Sequence, residues 1–373
     1  MAVSRVPRVV HISSDTGLFG GKDRVLLWLL SRLSERNLAD PRFVCFKDGI
    51  VANHYRNAGI SVEQLTMKGP FDIAAVPRLI SLLRDCNADL IHTHDHKSHV
   101  LARLSKLRVN LPVVSTLHGL LSDAKEIPWN RRFLYGIIVK STDHLTDHWI
   151  AVSQPLFERL GPERSDVSLV PNAVDAQLVR DDGDDHDLPQ EDGPVILCLG
   201  RLSHEKGQDI LLESMKSVFS RYPDTVLWLA GEGPLRGSLY RQAASLMISD
   251  RVRFLGFREA VSPLLRAATI LVLPSRNEGT PISVLEAMCM GVPVVSTRVG
   301  GVPHLIPKPE IGMVVPPENP TALTDALLTI LGDHESARRI GNAGRIHVER
   351  HHSLDLMAER TAEIYRKCLS GSV

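Results

Sequence analysis

The chain has 373 residues, 43% hydrophobic and 23% charged, with no low-complexity tract; this exceeds what one hydrophobic core usually supports, so two globular domains are expected and disordered or fibrous architectures are excluded. Lys plus Arg balance Asp plus Glu at 43 each, so no basic excess asks for a nucleic-acid partner. Residues 1–180 carry 23 basic and 18 acidic side chains and the remainder 20 and 25, a mild asymmetry that suits either an ordinary solvated surface or attraction to anionic headgroups.

The N-terminal sequence MAVSRVPRVVHISS enters a strand-like run without an apolar leader, and no stretch reaches bilayer-spanning length. Five widely spaced cysteines (Cys45, Cys86, Cys198, Cys289, Cys368) form no Cys-x-x-Cys pair, the pattern of reduced thiols, so a cytoplasmic location is expected.

In chain order, Val/Ile/Leu-rich runs at 8–13, 42–47, 89–94, 112–118, 149–153 and 167–171 read as strands, with helical patterns at 22–36 and 74–86 between them. Such alternation is the signature of parallel sheet with crossover helices, so the fold class is α/β. Residues 179–193 include the acidic run DDGDDHD and read as an exposed linker between an N-terminal domain, 1–178, and a C-terminal domain, 194–353. Strand-like runs resume at 194–200, 224–231, 252–257, 269–275 and 293–297, a helix is expected over 208–219, and 354–373 opens on a further helical pattern. Two doubly wound halves follow, and ligands in such sheets bind outside the carboxyl ends of the strands.

At those ends two constellations stand out. GRLSHEKG (200–207) follows the first strand of the second half and places Arg201 and Lys206 among glycines where a helix begins. Lys206 at a helix start opposes the macrodipole, so a bound anion is the better reading than a solvated turn; a guanidinium fork and a mobile ammonium both suit phosphate. PSRNEGTPISVLEAMCMGVPVV (274–295) carries Glu278 in the loop after a buried strand and Glu286 eight positions on. Thr280 fits an N-cap and Pro281 the first helical position. Glu286 in so apolar a run either accepts hydrogen bonds from a ligand or sits on the exposed stripe of an amphipathic helix, and the sequence leaves both open.

These segments carry a resemblance to the retaining glycosyltransferases of the GT-B fold, family four. The G-R-x-x-x-x-K-G element, the G-E-G-P turn (231–234) and E-x7-E followed by E-A-M-x-x-G-x-P-V-V match in order and spacing, and GGKDRV (20–25), STLHG (115–119) and VPNAVD (170–175) resemble the family's N-terminal motifs. The resemblance implies two Rossmann-like domains facing across a cleft, with the last helix crossing back to the first domain. It implies that a sugar is transferred from a nucleotide diphosphate sugar, with UDP favoured over GDP, to a glycan, lipid-linked or small-molecule acceptor. No cofactor and no metal are expected. By the same resemblance Arg201 and Lys206 hold the donor diphosphate and stabilise the leaving group, and Glu286 binds the ribose hydroxyls. Glu278 contacts the transferred sugar with the amides of Gly279 and Thr280, Gly231 lies in the donor-side turn, and His118 meets the sugar near the reacting carbon. Gly20 and Gly21 bring backbone close to the diphosphate or the acceptor. Two departures fall on loop geometry: Ala173 stands where the family commonly has glycine, and Lys22–Asp23 replaces the frequent Ala-Glu pair.

Other signals are weaker. His92, His94, His96 and His99 with Asp95 offer metal-ligand chemistry but straddle a strand-to-helix junction, where cleft-lining or satisfied histidines are the better reading. Asp182-Gly183-Asp184 spells a metal-binding Asp-x-Asp but lies in the acidic linker. Gly231, Gly233 and Gly237 partly match a dinucleotide fingerprint, so an NAD-dependent oxidoreductase is the alternative enzyme and a non-catalytic nucleotide-sugar-binding subunit the alternative scaffold. The basic, amphipathic runs KSHVLARLSKLR (97–108) and RRFLYGIIVK (131–140) suit either peripheral contact with the inner face of the cell membrane, and a lipid-linked acceptor there, or helices facing the domain core.

Overall fold

The computed structural model describes residues 5–14, 19–67, 72, 74–118, 141–180, 183 and 188–371. The chain divides into two compact units, Met1–Asn172 with Leu354–Val373, and Ala173–Ser353. The division falls at Asn172, six residues before the expected end of the first domain, because Val174 already pairs with the second unit: its N–H donates to His352 O at 3.0 Å and it bridges to Ser353.

In the first unit seven parallel strands, β1 (Arg8–Ser13), β2 (Asp40–Cys45), β3 (Ser61–Gln64), β4 (Leu90–Thr93), β5 (Val113–Leu117), β6 (His148–Ala151) and β7 (Val167–Leu169), lie in the order β3-β2-β1-β4-β5-β6-β7. The helix Gly21–Glu35 buries Val25, Leu26, Leu29, Leu30 and Leu33, a stripe at helical spacing. The C-terminal helix Leu354–Leu369 belongs to this unit and lies beside that first helix, with Arg32 Nη1 2.6 Å from Asp355 Oδ1 and Arg36 Nη1 2.8 Å from Glu359 Oε1.

The second unit holds six parallel strands, β8 (Val195–Leu199), β9 (Val226–Ala230), β10 (Val252–Gly256), β11 (Ile270–Leu273), β12 (Val294–Thr297) and β13 (Met313–Val315), in the order β10-β9-β8-β11-β12-β13. Relabelled from its first strand, this is 3-2-1-4-5-6, the doubly wound order of dinucleotide-binding sheets. Its β8, β9, β11 and β12 are buried throughout, as the continuous apolar runs require of strands covered by helices on both faces.

Two expectations are revised, and one open choice is resolved. β3 and β13 were not anticipated. The carboxyl end of the linker is not a free connector, because the Glu191 side chain is 9% exposed and accepts from Trp228 Nε1 at 3.2 Å and Arg253 Nε at 3.0 Å. Of the two readings open for the run 97–108, the structure bears out a helix facing the domain core. Its helix, His96–Lys106, buries Leu101, Ala102 and Arg103, whose guanidinium donates to Thr146 Oγ1 at 2.8 Å and lies 4.9 Å from the Trp149 ring centroid. The run 131–140, and Asp182 and Asp184, lie outside the described residues.

Candidate functional site

In each sheet the strand order reverses at one place, between β1 and β4 in the first unit and between β8 and β11 in the second, and the loops leaving those carboxyl ends diverge to form a crevice. Gly20, Gly21, Arg201, Lys206, Glu278, Gly279 and Thr280 fall between these strands and the starts of the helices that follow, whereas His118 follows β5, Gly231 follows β9 and Glu286 lies on the helix after β11.

In the second unit Arg201 is exposed directly after β8, and Lys206 ends a 3-10 turn, His204–Lys206. Lys206 Nζ lies 2.6 Å from Glu278 Oε1, which also accepts from Ser275 Oγ at 2.6 Å. The carboxylate is 7% exposed and the lysine 24%, so the pair is shielded from water while the ammonium keeps an open side. The tightness depends on glycine. At Gly207, with φ +66°, a Cβ would lie 2.1 Å from Pro274 O; at Gly300, with φ +51°, it would lie 1.8 Å from Glu278 O. Only residues without a side chain let the β8, β11 and β12 loops close to these distances. Gly231 does the same between β8 and β9: its φ is +149° and a Cβ would lie 2.0 Å from Gly200 O.

Beyond Glu278, Gly279 O accepts from Gly301 N at 2.8 Å and Thr280 is buried. Thr280 is not the N-cap: the helix runs Ile282–Cys289 with Pro281 at the N-cap and no side-chain cap, so Pro281 stands one place earlier than expected. Glu286 is 3% exposed on that helix, so it lies on the buried face and not on the solvent stripe.

Sequence reasoning missed the residue that locks these loops together. Arg276, two positions before Glu278, makes paired 2.8 Å bonds to both oxygens of Asp209 and a further 2.8 Å bond to His204 O. The fork ties the loop after β11 to the turn that carries Lys206, and its bonds to Asp209 and Glu318 raise its pKa. A lone arginine beside Glu278 was the available signal.

In the first unit His118 follows β5, while Gly20 caps and Gly21 begins the first helix after β1. Gly20 has φ −94° and a Cβ would rest an ordinary 3.8 Å from Asp23 Oδ2, so the fold itself does not demand glycine there. Lys22 Nζ donates to Ser13 Oγ at 3.1 Å, and Asp95 accepts from Ser14 N at 2.6 Å while capping the helix His96–Lys106. Among the described residues Nε2 of His118 is buried without a hydrogen-bond partner. Burial first, and the nearby Lys22 second, hold His118 down at about 3, so the ring is neutral near pH 7.

The expected histidine row separates. His99 Nδ1 bonds Thr93 Oγ1 at 2.7 Å. His92 and His94 join His11, which the sequence did not single out, in a grouping whose ligand atoms lie within 4.8 Å. The nitrogens meet other partners: His92 Nδ1 is 2.6 Å from Tyr365 Oη and its Nε2 2.7 Å from Thr116 Oγ1, while His11 Nδ1 is 3.1 Å from His94 Nε2. A metal at His92 would have to displace a hydroxyl that already occupies the ring nitrogen.

Comparison with known proteins agrees with this layout. Residues 180–347 match the model described as glycosyl transferases group 1, and residues 19–178 that described as glycosyltransferase family 4. The chain is 37% identical over 180 residues to a GDP-mannose-dependent monoacylated alpha-(1-6)-phosphatidylinositol monomannoside mannosyltransferase of Corynebacterium glutamicum, a match covering 46% of each chain and so about half of that relative's length. It is 28% identical over 310 residues to a D-inositol 3-phosphate glycosyltransferase of the same species, covering 76% of this chain and 73% of that one. The fold superposes on that of HepE from Anabaena, solved in complex with UDP-glucose, with a TM-score of 0.82 at 21% identity over 96% of this chain and 99% of that one. Sucrose-phosphate synthase of Thermosynechococcus elongatus gives 0.80 at 22% identity over 98% and 100%. With both halves matched and both switch points furnished as described, the chain belongs to family four of the GT-B glycosyltransferases, the glycosyl transferases group 1.

Proposed function

We propose that the chain is a retaining, metal-independent hexosyltransferase that moves a sugar from a nucleotide diphosphate sugar to a glycan or lipid-linked acceptor. The observation that carries this is the contact of Lys206 with Glu278 at the β8/β11 switch point, with Glu286 buried on the next helix. Breaking a glycosyl phosphate leaves charge on a diphosphate while the sugar gains oxocarbenium character, so a site needs cations at one end and hydrogen-bond acceptors for hydroxyls at the other. Arg201 and Lys206 supply the first, and between them remove the need for a metal ion or any other cofactor. Glu278 accepts from the sugar hydroxyls while the backbone amides of Gly279 and Thr280 donate to sugar oxygens, and Glu286 accepts from the hydroxyls of the ribose. Gly231 keeps the donor side open to the diphosphate. His118 and the Gly20–Gly21 backbone act from the first unit, His118 toward the sugar as a neutral imidazole. We assign no protein nucleophile.

An oxidoreductase reading is less well supported. A dinucleotide fingerprint belongs after the first strand of its sheet, whereas Gly231 and Gly233 follow the second, β9, and the loop after the first carries Arg201 and Lys206. Uridine diphosphate sugars are the first donors to test, and guanosine the second because relatives of 37% and 36% identity are named GDP-mannose-dependent. Those names also specify phosphatidylinositol acceptors, which supports a lipid-linked acceptor here and peripheral contact with the membrane's inner face. Among the described residues no helix is long and apolar enough to cross a membrane.

The test is calorimetric binding of UDP, GDP, ADP and NAD, with chelator present, to the wild type and to an Arg201→Ala/Lys206→Ala variant. Saturable binding of one nucleoside diphosphate that the variant loses is expected. Preference for NAD, or no diphosphate binding, overturns the reading.

A further inference from the structure

The C-terminal helix Leu354–Leu369 does more than cover the first unit. It inserts Tyr365, which has no exposed surface, against the buried histidines. Tyr365 Oη lies 2.6 Å from His92 Nδ1, and His92 Nε2 lies 2.7 Å from Thr116 Oγ1. Thr116 lies on β5 two residues before His118, which directly follows the strand. Thr116, His92, His94 and His118 line one small cavity of about 10 Å³, room for about one water and none for a sugar.

The direction of this chain follows from hydrogen counting. Burial keeps His92 neutral by lowering its pKa well below 6.5, so one of its nitrogens donates and the other accepts. If Nδ1 carried the proton, the Tyr365 hydroxyl hydrogen would be left fully buried without an acceptor, at substantial cost. If Tyr365 instead donates to Nδ1, then Nε2–H donates to Thr116, and the hydrogen left over is that of Thr116. That hydroxyl faces the cavity, where two nitrogens are buried without a partner among the described residues, His118 Nε2 and His94 Nδ1; His94 is already held through its Nε2 by His11, so His118 is the ring left for Thr116 to order across the space of one water.

We infer that Tyr365 is a positioning residue: through His92 and Thr116 it fixes the tautomer and orientation of His118, so that the last helix of the chain sets the geometry of a residue at the end of β5. The functional consequence rests on the reading of His118 as facing the transferred sugar; the structural coupling does not.

Histidine-selective 15N NMR, with His92 and His118 resonances assigned by substitution, separates the two. In the wild type His92 is expected as the Nε2–H tautomer. Tyr365→Phe is expected to draw its two nitrogen shifts together and to move those of His118. Thr116→Val is expected to move His118 while leaving Tyr365 hydrogen-bonded to His92, and Thr116→Ser to restore the wild-type His118 spectrum. In sugar transfer, Tyr365→Phe and Thr116→Val lower kcat by about fivefold, the loss of one net hydrogen bond, with donor KM within about twofold and Thr116→Ser near wild type. A merely structural Tyr365 would lower the melting temperature without moving His118. Unchanged His118 shifts in Tyr365→Phe, or in Thr116→Val alone if Tyr365→Phe does not fold, overturn the inference whether or not sugar transfer is detected. Moved shifts with kcat unchanged overturn its functional half. Absence of sugar transfer in the wild type refutes the proposed function and leaves the spectra to decide the coupling.

Discussion

Replacing Lys206 by alanine separates the ion pair that the structure gives this side chain from the role at the diphosphate proposed for it. At 2.6 Å and an effective dielectric of about 20, the gross attraction between Lys206 and Glu278 is roughly 6 kcal/mol, most of it offset by the desolvation of both groups. What the substitution exposes is the other side of that balance: Glu278, 7% exposed, keeps only the Ser275 hydroxyl among the contacts above. We expect Lys206→Ala to destabilise the second unit by about 1–3 kcal/mol. Lys206→Ala/Glu278→Gln, which also removes the stranded charge, is expected to cost at least about 1 kcal/mol less than the two single losses summed. Turnover behaves differently, because the cation is needed at the departing diphosphate whatever Glu278 does: both Lys206 variants fall by about 10²–10³ in kcat. Urea unfolding followed by 19F NMR of 5-fluorotryptophan reads the second unit through Trp228, its one tryptophan, and release of nucleoside diphosphate reads turnover. A single variant within about 0.5 kcal/mol of wild type with an additive double variant, or one that retains its turnover, refutes the reasoning.

Glu286→Gln keeps the shape of a buried side chain but weakens its grip on a diol, so donor KM is expected to rise about tenfold or more with kcat little changed; an unchanged KM in steady-state assays argues against the ribose role. Gly231→Ala combines φ +149° with a Cβ 2.0 Å from Gly200 O, and is expected to cost more than about 2 kcal/mol, seen as a drop in melting temperature; a neutral change there would refute the close-packed account of the β8–β9 loops. His11, without exposed surface, is held down to about 3 by burial. Its native ring stays neutral while the unfolded ring, near 6.5, takes up a proton as pH falls, so its contribution is intact above 6.5 and erodes between 6.5 and 3. His11 alone loses about 1.4 kcal/mol between pH 7.5 and 5.5, and His92, His94 and His99 shift in the same direction. Asp166 and Asp209, held below their usual 3.8, give way only at lower pH. Stability of the first unit that is flat from pH 7.5 to 5.5 would contradict this.

How much of this was legible in the sequence depended on burial. The central strands β1, β4, β5, β8, β9, β11 and β12 announced themselves because a strand covered on both faces is rich in Val, Ile and Leu, even where it also buries His11, His92 or Thr116. β3 and β13 are short sheet edges; β3, with the sequence SVEQ, buries no residue fully, so neither had a comparable run to show. Glycines at strand ends and the Lys206/Glu278/Glu286 spacing marked the second-unit loops, since backbone contact distances allow few residue types. The sequence could not say which face of its helix Glu286 occupies, because in the run ISVLEAMC nearly every neighbour is apolar and no stripe can be read. The basic run at 97–108 stayed undecided between membrane contact and the domain core for the complementary reason: Arg103 is fully buried through its bonds to Thr146 and its stacking on Trp149, partners 43 and 46 positions away that no local pattern contains.

The two units use one topology for opposite chemistry. Both reverse their strand order beside their first strand, and both deliver glycines and helix starts to the crevice so formed. In the second unit the crevice residues are ionic: Arg201, Lys206, Glu278 and Glu286, tied by the Arg276–Asp209 fork. In the first they are imidazoles kept neutral by burial, ordered by hydroxyls of Thr116 and Tyr365 rather than by counter-charges. A departing diphosphate requires fixed charge, which must be paired when no substrate is bound, and Lys206–Glu278 is such a pair. On the proposed role, a group that meets the sugar as cationic character develops should add no charge of its own, and His118, held down to about 3 by burial, is neutral at any pH well above that. On the proposed roles, the second unit therefore needs charges that are paired at rest, which the Lys206–Glu278 contact and the Arg276–Asp209 fork supply, while the first unit needs rings without charge, which burial supplies.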